Sequence, residues 1–407
     1  MACILKIPSR QSKGVVTFTT QEWRIIHANS EMVRQLEQLR SLYVTGLHFN
    51  WHDYKFDPPA LFDFFMAGEG DLVPINNKPL RLLPMDACNF TPSAYEPTPL
   101  HQKYWDVLIV GNPVFFKRPE IALKTIRNLF DRSDAPLRVL YICPIPQYQF
   151  LDEDTVLYDI RDYYEAMFTV EERRRFMLLT TNFDSPNPFD RETLSVFFKN
   201  SKVFLHCAVE ERRCRIAAYA WSAGLPVIAK SCVASILPED LRQMPGYFEV
   251  QEDEEYADSI LRALALLPSF NPQEYRRNLS ESYTVDRLQD HLSLIFEELN
   301  LPFHGKLLGQ NLDRRLGWHH QAIGGLTNGL TQGFAEFFDK LEKLIDFGPD
   351  RIIAIESNSY PERVIANEFD NVLSLSLSKV VEKSIYLNPK KRKWMALFKH
   401  LKNRFLH

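Results

Sequence analysis

The chain has 407 residues, 45% of them hydrophobic and 25% charged, the composition of a soluble globular protein long enough for two or three domains. A formal net charge of −4 excludes a general attraction to nucleic-acid backbones, which needs concentrated positive charge. Cys3, Cys88, Cys143, Cys207, Cys214 and Cys232 show no CxxC spacing, so they read as small buried hydrophobes of a reducing compartment, not as a disulfide framework or zinc site.

The N-terminal sequence MACILKIPSRQSK is too briefly apolar for a signal peptide, and no run approaches the ~18 apolar residues that span a bilayer. Cytoplasmic residence is the expected default. In chain order, 14–19 and 42–49 are candidate strands, and 20–39 carries Ile26, Met32, Val33 and Leu36 at loosely helical spacing. Prolines at 58, 59, 74, 79 and 84 punctuate a loop-rich stretch, and Pro92, Pro97 and Pro99 mark a linker. The pattern then sharpens. Residues 105–111 (WDVLIVG) form an apolar run closed by glycine, as expected of a strand buried on both faces. Pro119 suits the first turn of a helix with Ile121, Ala122, Ile126, Leu129 and Phe130 on one face. Residues 138–143 (RVLYIC) read as the next strand. A charged helical region over 152–174, a short strand at 177–180 and a helix capped by Asp190 follow. Residues 203–206 and 226–229 are strands flanking a helix that ends at Gly224. Strands alternating with helices imply parallel βαβ units and an α/β fold. Residues 271–299 read as the closing helices of this domain, with a stripe of Leu288, Leu292, Ile295 and Leu299. Beyond Pro302 the sequence turns glycine-rich at 324–334, then offers a helix at 334–345 and a strand at 351–355, with no assignable architecture.

Two clusters carry candidate chemistry. Gly111-Asn112-Pro113-Val114-Phe115-Phe116-Lys117-Arg118-Pro119 ends a buried strand and puts two cations at a helix start. Helix N-termini attract anions, and paired cations there disfavour the helix unless an anion joins them. A solvated loop is the plainer alternative; the position after a buried strand favours phosphate. Glu210-Glu211-Arg212-Arg213-Cys214-Arg215 opens the next helix. Its acids suit the helix dipole by themselves, and carboxylates also accept from sugar hydroxyls. His206 ends the adjoining strand and is either a structural histidine or a group for sugar or acceptor. The fingerprint GxGxxG of dinucleotide sites is absent.

In order and spacing these pieces resemble the C-terminal half of retaining glycosyltransferases of the GT-B fold, specifically glycosyltransferase family four. The resemblance rests on Asn89-Phe90-Thr91-Pro92, on VGNPVFFKRPEIAL (110–123), on VEERRCRIAAYAWSAGLPVIA (209–229) and on SESYTVDRLQDHLSLIFEEL (280–299), and covers about 85–300. It implies two Rossmann-like domains facing a cleft. The expected boundaries are a reduced N-terminal acceptor-side region at 1–95, a nucleotide-sugar-binding domain at 96–302 and an extension at 303–407. It also implies sugar transfer with retention of configuration, no cofactor beyond the nucleotide-sugar donor, and no metal. Lys117 would contact the donor diphosphate, with Arg118 beside it and Gly111 and Asn112 in the same loop. Glu211 matches the first signature glutamate, near the donor sugar, with Glu210 and His206 adjacent. Asn112 replaces a common arginine, and Tyr219 stands where a second glutamate holds the ribose hydroxyls. A tyrosine cannot give a bidentate carboxylate grip. These departures leave a glycosyltransferase-like binding or scaffold protein as the alternative.

The final stretch, 388–407 (NPKKRKWMALFKHLKNRFLH), sets Trp394, Leu397, Phe398, Leu401 and Phe405 at helical spacing among lysines and arginines. Such a helix suits an anionic membrane interface, and a lipid-linked or other glycan acceptor would fit it. The alternative is a helix docked on its own protein.

Overall fold

A computed structural model describes residues 3–49, 54–68, 72–75, 79–144, 160–181, 189–209, 211, 214–237, 242–309 and 312–316. The chain divides into two compact units, Met1–Ala28 with Arg40–Gly325, and Asn29–Leu39 with Leu326–His407. The expected helix at 334–345, the strand at 351–355 and the basic tail lie outside the described residues.

The N-terminal part opens with strands β1 (Cys3–Lys6) and β2 (Gly14–Thr19). The helical stretch 20–39 is two helices, α1 (Thr20–His27) and α2 (Ser30–Leu39), not one. Local chemistry explains the break. Thr19 and Glu22 form a reciprocal capping box that starts α1, and the Asn29 side chain accepts from the Glu31 and Met32 N–H groups to start α2. Strands β3 (Tyr43–His48), β4 (Tyr54–Phe56), β5 (Phe64–Met66), β6 (Leu72–Pro74) and β7 (Leu82–Leu83) follow. The proline-punctuated stretch is therefore not only loop. Its strands have two or three residues each, too few for an alternation to show in sequence. One sheet has the order β1-β2-β3-β5-β7, antiparallel only at β1–β2. Gly46 lets β3 pass beneath the Phe64 ring, where an added Cβ would lie 2.3 Å from a ring carbon. A separate parallel pair joins β4 to β6.

The larger sheet is built from β8 (Trp105–Val110), α3 (Pro119–Arg132), β9 (Val139–Cys143), α4 (Ile160–Met167), α5 (Val170–Arg173), β10 (Phe176–Thr180), α6 (Arg191–Lys199), β11 (Ser201–His206), α7 (Arg215–Ser222), β12 (Val227–Ala229), β13 (Tyr247–Glu249) and α8 (Glu255–Leu266). Pro119 opens α3 and the Asp190 carboxylate caps α6, as their residue types predict. All pairings are parallel, in the order β10-β9-β8-β11-β12-β13. Numbered within this sheet, that is 3-2-1-4-5-6, the doubly wound order of nucleotide-binding folds. Both faces are covered. Val107 and Ile109 share a core with Leu123, Ile126, Tyr256 and Ile260 of α3 and α8. Leu108 and Val110, pointing the other way, share one with Tyr219 and Trp221 of α7. That double burial is why these strands read as continuous apolar runs. Gly224, at φ 73, makes the left-handed turn between α7 and β12 that a residue with a Cβ resists.

Two further helices, α9 (Gln273–Leu279) and α10 (Glu281–Glu298), match the closing helices expected at 271–299. Leu288, Leu292 and Ile295 of α10 pack with Leu5, Val15, Val44, Phe64 and Leu83, the core of the N-terminal sheet. The stripe shows that α10 has an apolar face; it does not show which sheet that face meets. Thr284 Oγ1 donates to the Asn89 carbonyl and Thr91 Oγ1 to the Leu279 carbonyl, so the 89–91 segment is tied to these helices.

Candidate functional site

In a doubly wound sheet the strand order reverses at one place, and there the loops leave neighbouring strands in opposite directions and open a crevice. Here it lies between β8 and β11. The two loops leaving their carboxyl ends are 111–118 and 207–214, the two clusters singled out by residue type. They touch: Val209 N–H donates to the Phe116 carbonyl at 3.4 Å.

The loop after β8 turns at Gly111, and the Val114 N–H donates to the Asn112 carbonyl at 2.9 Å. A single 3₁₀ turn, Phe115–Lys117, then leads through Arg118 into α3. Phe116 lies under the Lys117 ammonium, whose Nζ is 5.3 Å from the ring centre, while Phe115 is exposed. Lys117 Nζ pairs with Glu211 Oε2, the two side chains being 15% and 18% exposed. The same oxygen lies 2.5 Å from His206 Nε2, and His206 is buried at the end of β11. Burial pushes the Glu211 carboxyl up. The charges of Lys117 and His206 and their hydrogen bonds outweigh it and hold the group well below the ordinary carboxylate range. The site thus presents an ionised carboxylate clamped between two nitrogen donors.

Cys214 Sγ is 3.6 Å from the same His206 nitrogen, and burial pushes its thiol well up. Both contacts fall on Nε2, so no imidazole is held between an orienting carboxylate and a thiol nucleophile, as a cysteine-histidine triad requires. His206, Glu211 and Cys214 bring one ligand atom each to within 4.8 Å of one another, a donor set that suits zinc. The Lys117 ammonium contacts the carboxylate oxygen of that trio, so a metal bound there would meet a resident cation.

The residues singled out in sequence fall into different places. Lys117, Glu211 and His206 come together. Gly111 and Asn112 lie in the same loop, partly buried, upstream of Lys117. Arg118 turns away. Its guanidinium grips both carboxylate oxygens of Asp253, with Nη1 at 2.9 Å from Oδ1. Tyr219 is 1% exposed and stacks on Tyr95 at 4.3 Å, inside the aromatic cluster with Phe198. It faces the core, not the crevice. Glu210 lies outside the described residues. Asp253 and Lys230 were not singled out. Lys230 follows β12, Asp253 follows β13, and their amino groups and carboxylate lie 3.6 Å apart. A basic residue directly after the apolar strand VIA was the available signal for Lys230; the strand preceding Asp253, YFE, ends on an exposed acid and gives none.

No protein-family model matches the sequence, and no curated protein matches it. Among solved structures the chain is similar to TarM (16% identity, TM-score 0.42, over 62% of this chain and 50% of that one). It is also similar to a glycosyltransferase from Rickettsia africae ESF-5 (10% identity, TM-score 0.44, 68% and 82%) and to the pneumococcal O-GlcNAc transferase GtfA in complex with UDP and GlcNAc (12% identity, TM-score 0.41, 66% and 55%). The chain spans about half the length of TarM. Likeness at this level carries no residue-by-residue correspondence.

Proposed function

We propose that the chain is a glycosyltransferase of the GT-B type, taking a nucleotide-sugar donor at the carboxyl ends of β8 and β11. One observation carries this reading: the partly buried Lys117–Glu211 pair sits at the reversal point of a 3-2-1-4-5-6 sheet. The motif resemblance at 110–123 and 209–229 supports it independently. Donor entry exchanges partners. The diphosphate replaces the carboxylate as the counter-charge of Lys117, and Glu211, still beside His206, is left to accept from a hydroxyl of the transferred sugar.

Charge builds on the departing diphosphate as the glycosidic bond breaks, so a fixed ammonium stabilises the transition state more than the ground state. Lys117 supplies it. The acceptor hydroxyl attacks the anomeric carbon from the side the diphosphate leaves and passes its proton to the departing phosphate oxygen, giving retention, and the scheme routes no step through a metal. Because Tyr219 is in the core, ribose recognition falls to groups other than that side chain. The basic amphipathic sequence at 388–407 supports peripheral attachment to an anionic membrane and a lipid-linked glycan as acceptor. No described helix is long and apolar enough to cross a membrane.

The test is a thermal-shift and calorimetric titration with UDP, ADP, GDP and inorganic pyrophosphate, followed by donor hydrolysis and transfer assays. A ligand at about 100 times its Kd stabilises the native state by about 2.7 kcal/mol, a readily measured rise in Tm. Lys117→Ala should weaken nucleotide binding by roughly tenfold or more, the loss of one charge-assisted hydrogen bond. Glu211→Ala should reduce turnover more than binding. The proposal fails if no nucleoside diphosphate shifts Tm, or if Lys117→Ala binds as the parent does. Tight binding without turnover on any acceptor would make the chain a binding protein of the same fold.

A further inference from the structure

Arg118 is the conformational outlier of the loop that presents Lys117. Its φ and ψ are both 54°, and among the described non-glycine residues only Arg118 and Asn300 have positive φ. Asparagine enters the left-handed region readily; arginine, with a full side chain beyond Cβ, does so against a steric cost. The Arg118 carbonyl nevertheless accepts from the Ile121 and Ala122 N–H groups at 3.0 and 3.2 Å, so this turn is what launches α3.

Something must hold the turn, and the contact that does so is with Asp253. The fork of Arg118 engages both its oxygens, across 135 residues of sequence. Lys230 adds a second cation at 3.6 Å and donates to the Gln251 carbonyl, bracing the Asp253 turn from β12. Arg118 and Asp253 are 18% and 31% exposed, a partly shielded setting in which a bidentate pair holds its geometry. The two adjacent cations therefore point to different partners: Lys117 to Glu211 and Arg118 to Asp253.

We propose that Asp253 is a positioning residue for Lys117. By gripping Arg118 it keeps that residue in the left-handed conformation that closes the 115–117 turn and aims the Lys117 ammonium at Glu211, and Arg118 is a clamp, not a phosphate ligand. The functional half of this inference rests on the reading that Lys117 receives the donor diphosphate.

The discriminating substitution is Arg118→Gly, because glycine holds a left-handed turn without a clamp. In hydrogen exchange without ligand, Asp253→Asn and Arg118→Ala should speed amide exchange in 114–122 by roughly tenfold, and Arg118→Gly should change it little. Adding Asp253→Asn to Arg118→Gly should have no further effect. In UDP titrations, Asp253→Asn and Arg118→Ala should bind roughly tenfold more weakly, while Arg118→Gly stays within about threefold of the parent. Unchanged exchange in Asp253→Asn overturns the proposal. So does loss of binding in Arg118→Gly equal to that in Lys117→Ala with Asp253→Asn neutral or tighter, because Arg118 would then be a ligand released by losing its carboxylate. If no nucleoside diphosphate binds the parent but the exchange pattern holds, the clamp stands and the donor assignment fails.

Discussion

Tyr219 occupies the position where the motif resemblance leads one to expect a carboxylate, yet its ring packs against Tyr95 and Phe198 at 1% exposure. Restoring a glutamate there should therefore damage the protein instead of improving donor binding. An ionised carboxylate placed among aromatic rings loses its hydration, and burying that charge in the core costs free energy. Tyr219→Glu should lower the urea midpoint by an amount equivalent to about 3 kcal/mol or more, or prevent folding. A variant that folds with unchanged stability and binds nucleotide more tightly would show that α7 turns this position toward the crevice. Glu211 is the opposite case. It too is largely withdrawn from water, but Lys117 and His206 supply the counter-charge and donors that an ionised carboxylate needs.

At the scale of elements, α5 has four residues and cannot hold itself together by helical hydrogen bonds alone. It is secured at both ends. Thr169 and Glu172 close a capping box, and Glu172 also reaches Arg127 of α3 at 2.7 Å. The hydrogen bond from Arg127, with further bonds from Thr169, brings the Glu172 carboxyl down from 4.5 to about 2. A carboxylate depressed on folding stabilises the native state above its unfolded pKa, and that contribution disappears as pH falls through its folded value. Comparison of the parent with Glu172→Gln in urea denaturation should show the largest difference above about pH 4.5, shrinking steadily toward pH 2. A difference independent of pH across that window would mean that the charge on Glu172 contributes nothing. The α3 helix is thereby held at its C-terminal half by Arg127 and at its start by Arg118, both through carboxylates distant in sequence.

At the scale of the whole molecule, α10 is the element that ties the 271–299 helices to the first strands. Leu292, fully buried, lies in the core of the N-terminal sheet. Leu292→Ala should cost about 2–5 kcal/mol, as truncations of buried leucines do. Because Val15 of β2 and Val44 of β3 share that core, the loss should appear in exchange protection of β2 and β3 along with α10. Loss of protection confined to α10 would mean the sheet is stable without it.

Much of the larger sheet was legible in the chain itself. Strands such as VLIV and VLYIC are apolar on consecutive positions because both faces are covered, and Pro119, Asp190 and Gly224 mark helix ends by backbone chemistry that acts within a few residues. Lys117, Glu211 and His206 were legible as candidates because His206 ends a buried strand and the other two lie in the loops that follow buried strands. Whatever depended on contacts across the fold was not. The partner of Arg118 is 135 residues away, and the core around Tyr219 is assembled from Tyr95 and Phe198, far apart in the chain. Local chemistry therefore determined which segments form helices and strands and where charge collects beside the strand ends. Only the tertiary structure decided which of those charges meet each other, because burial and ion pairing depend on distances that sequence separation does not encode.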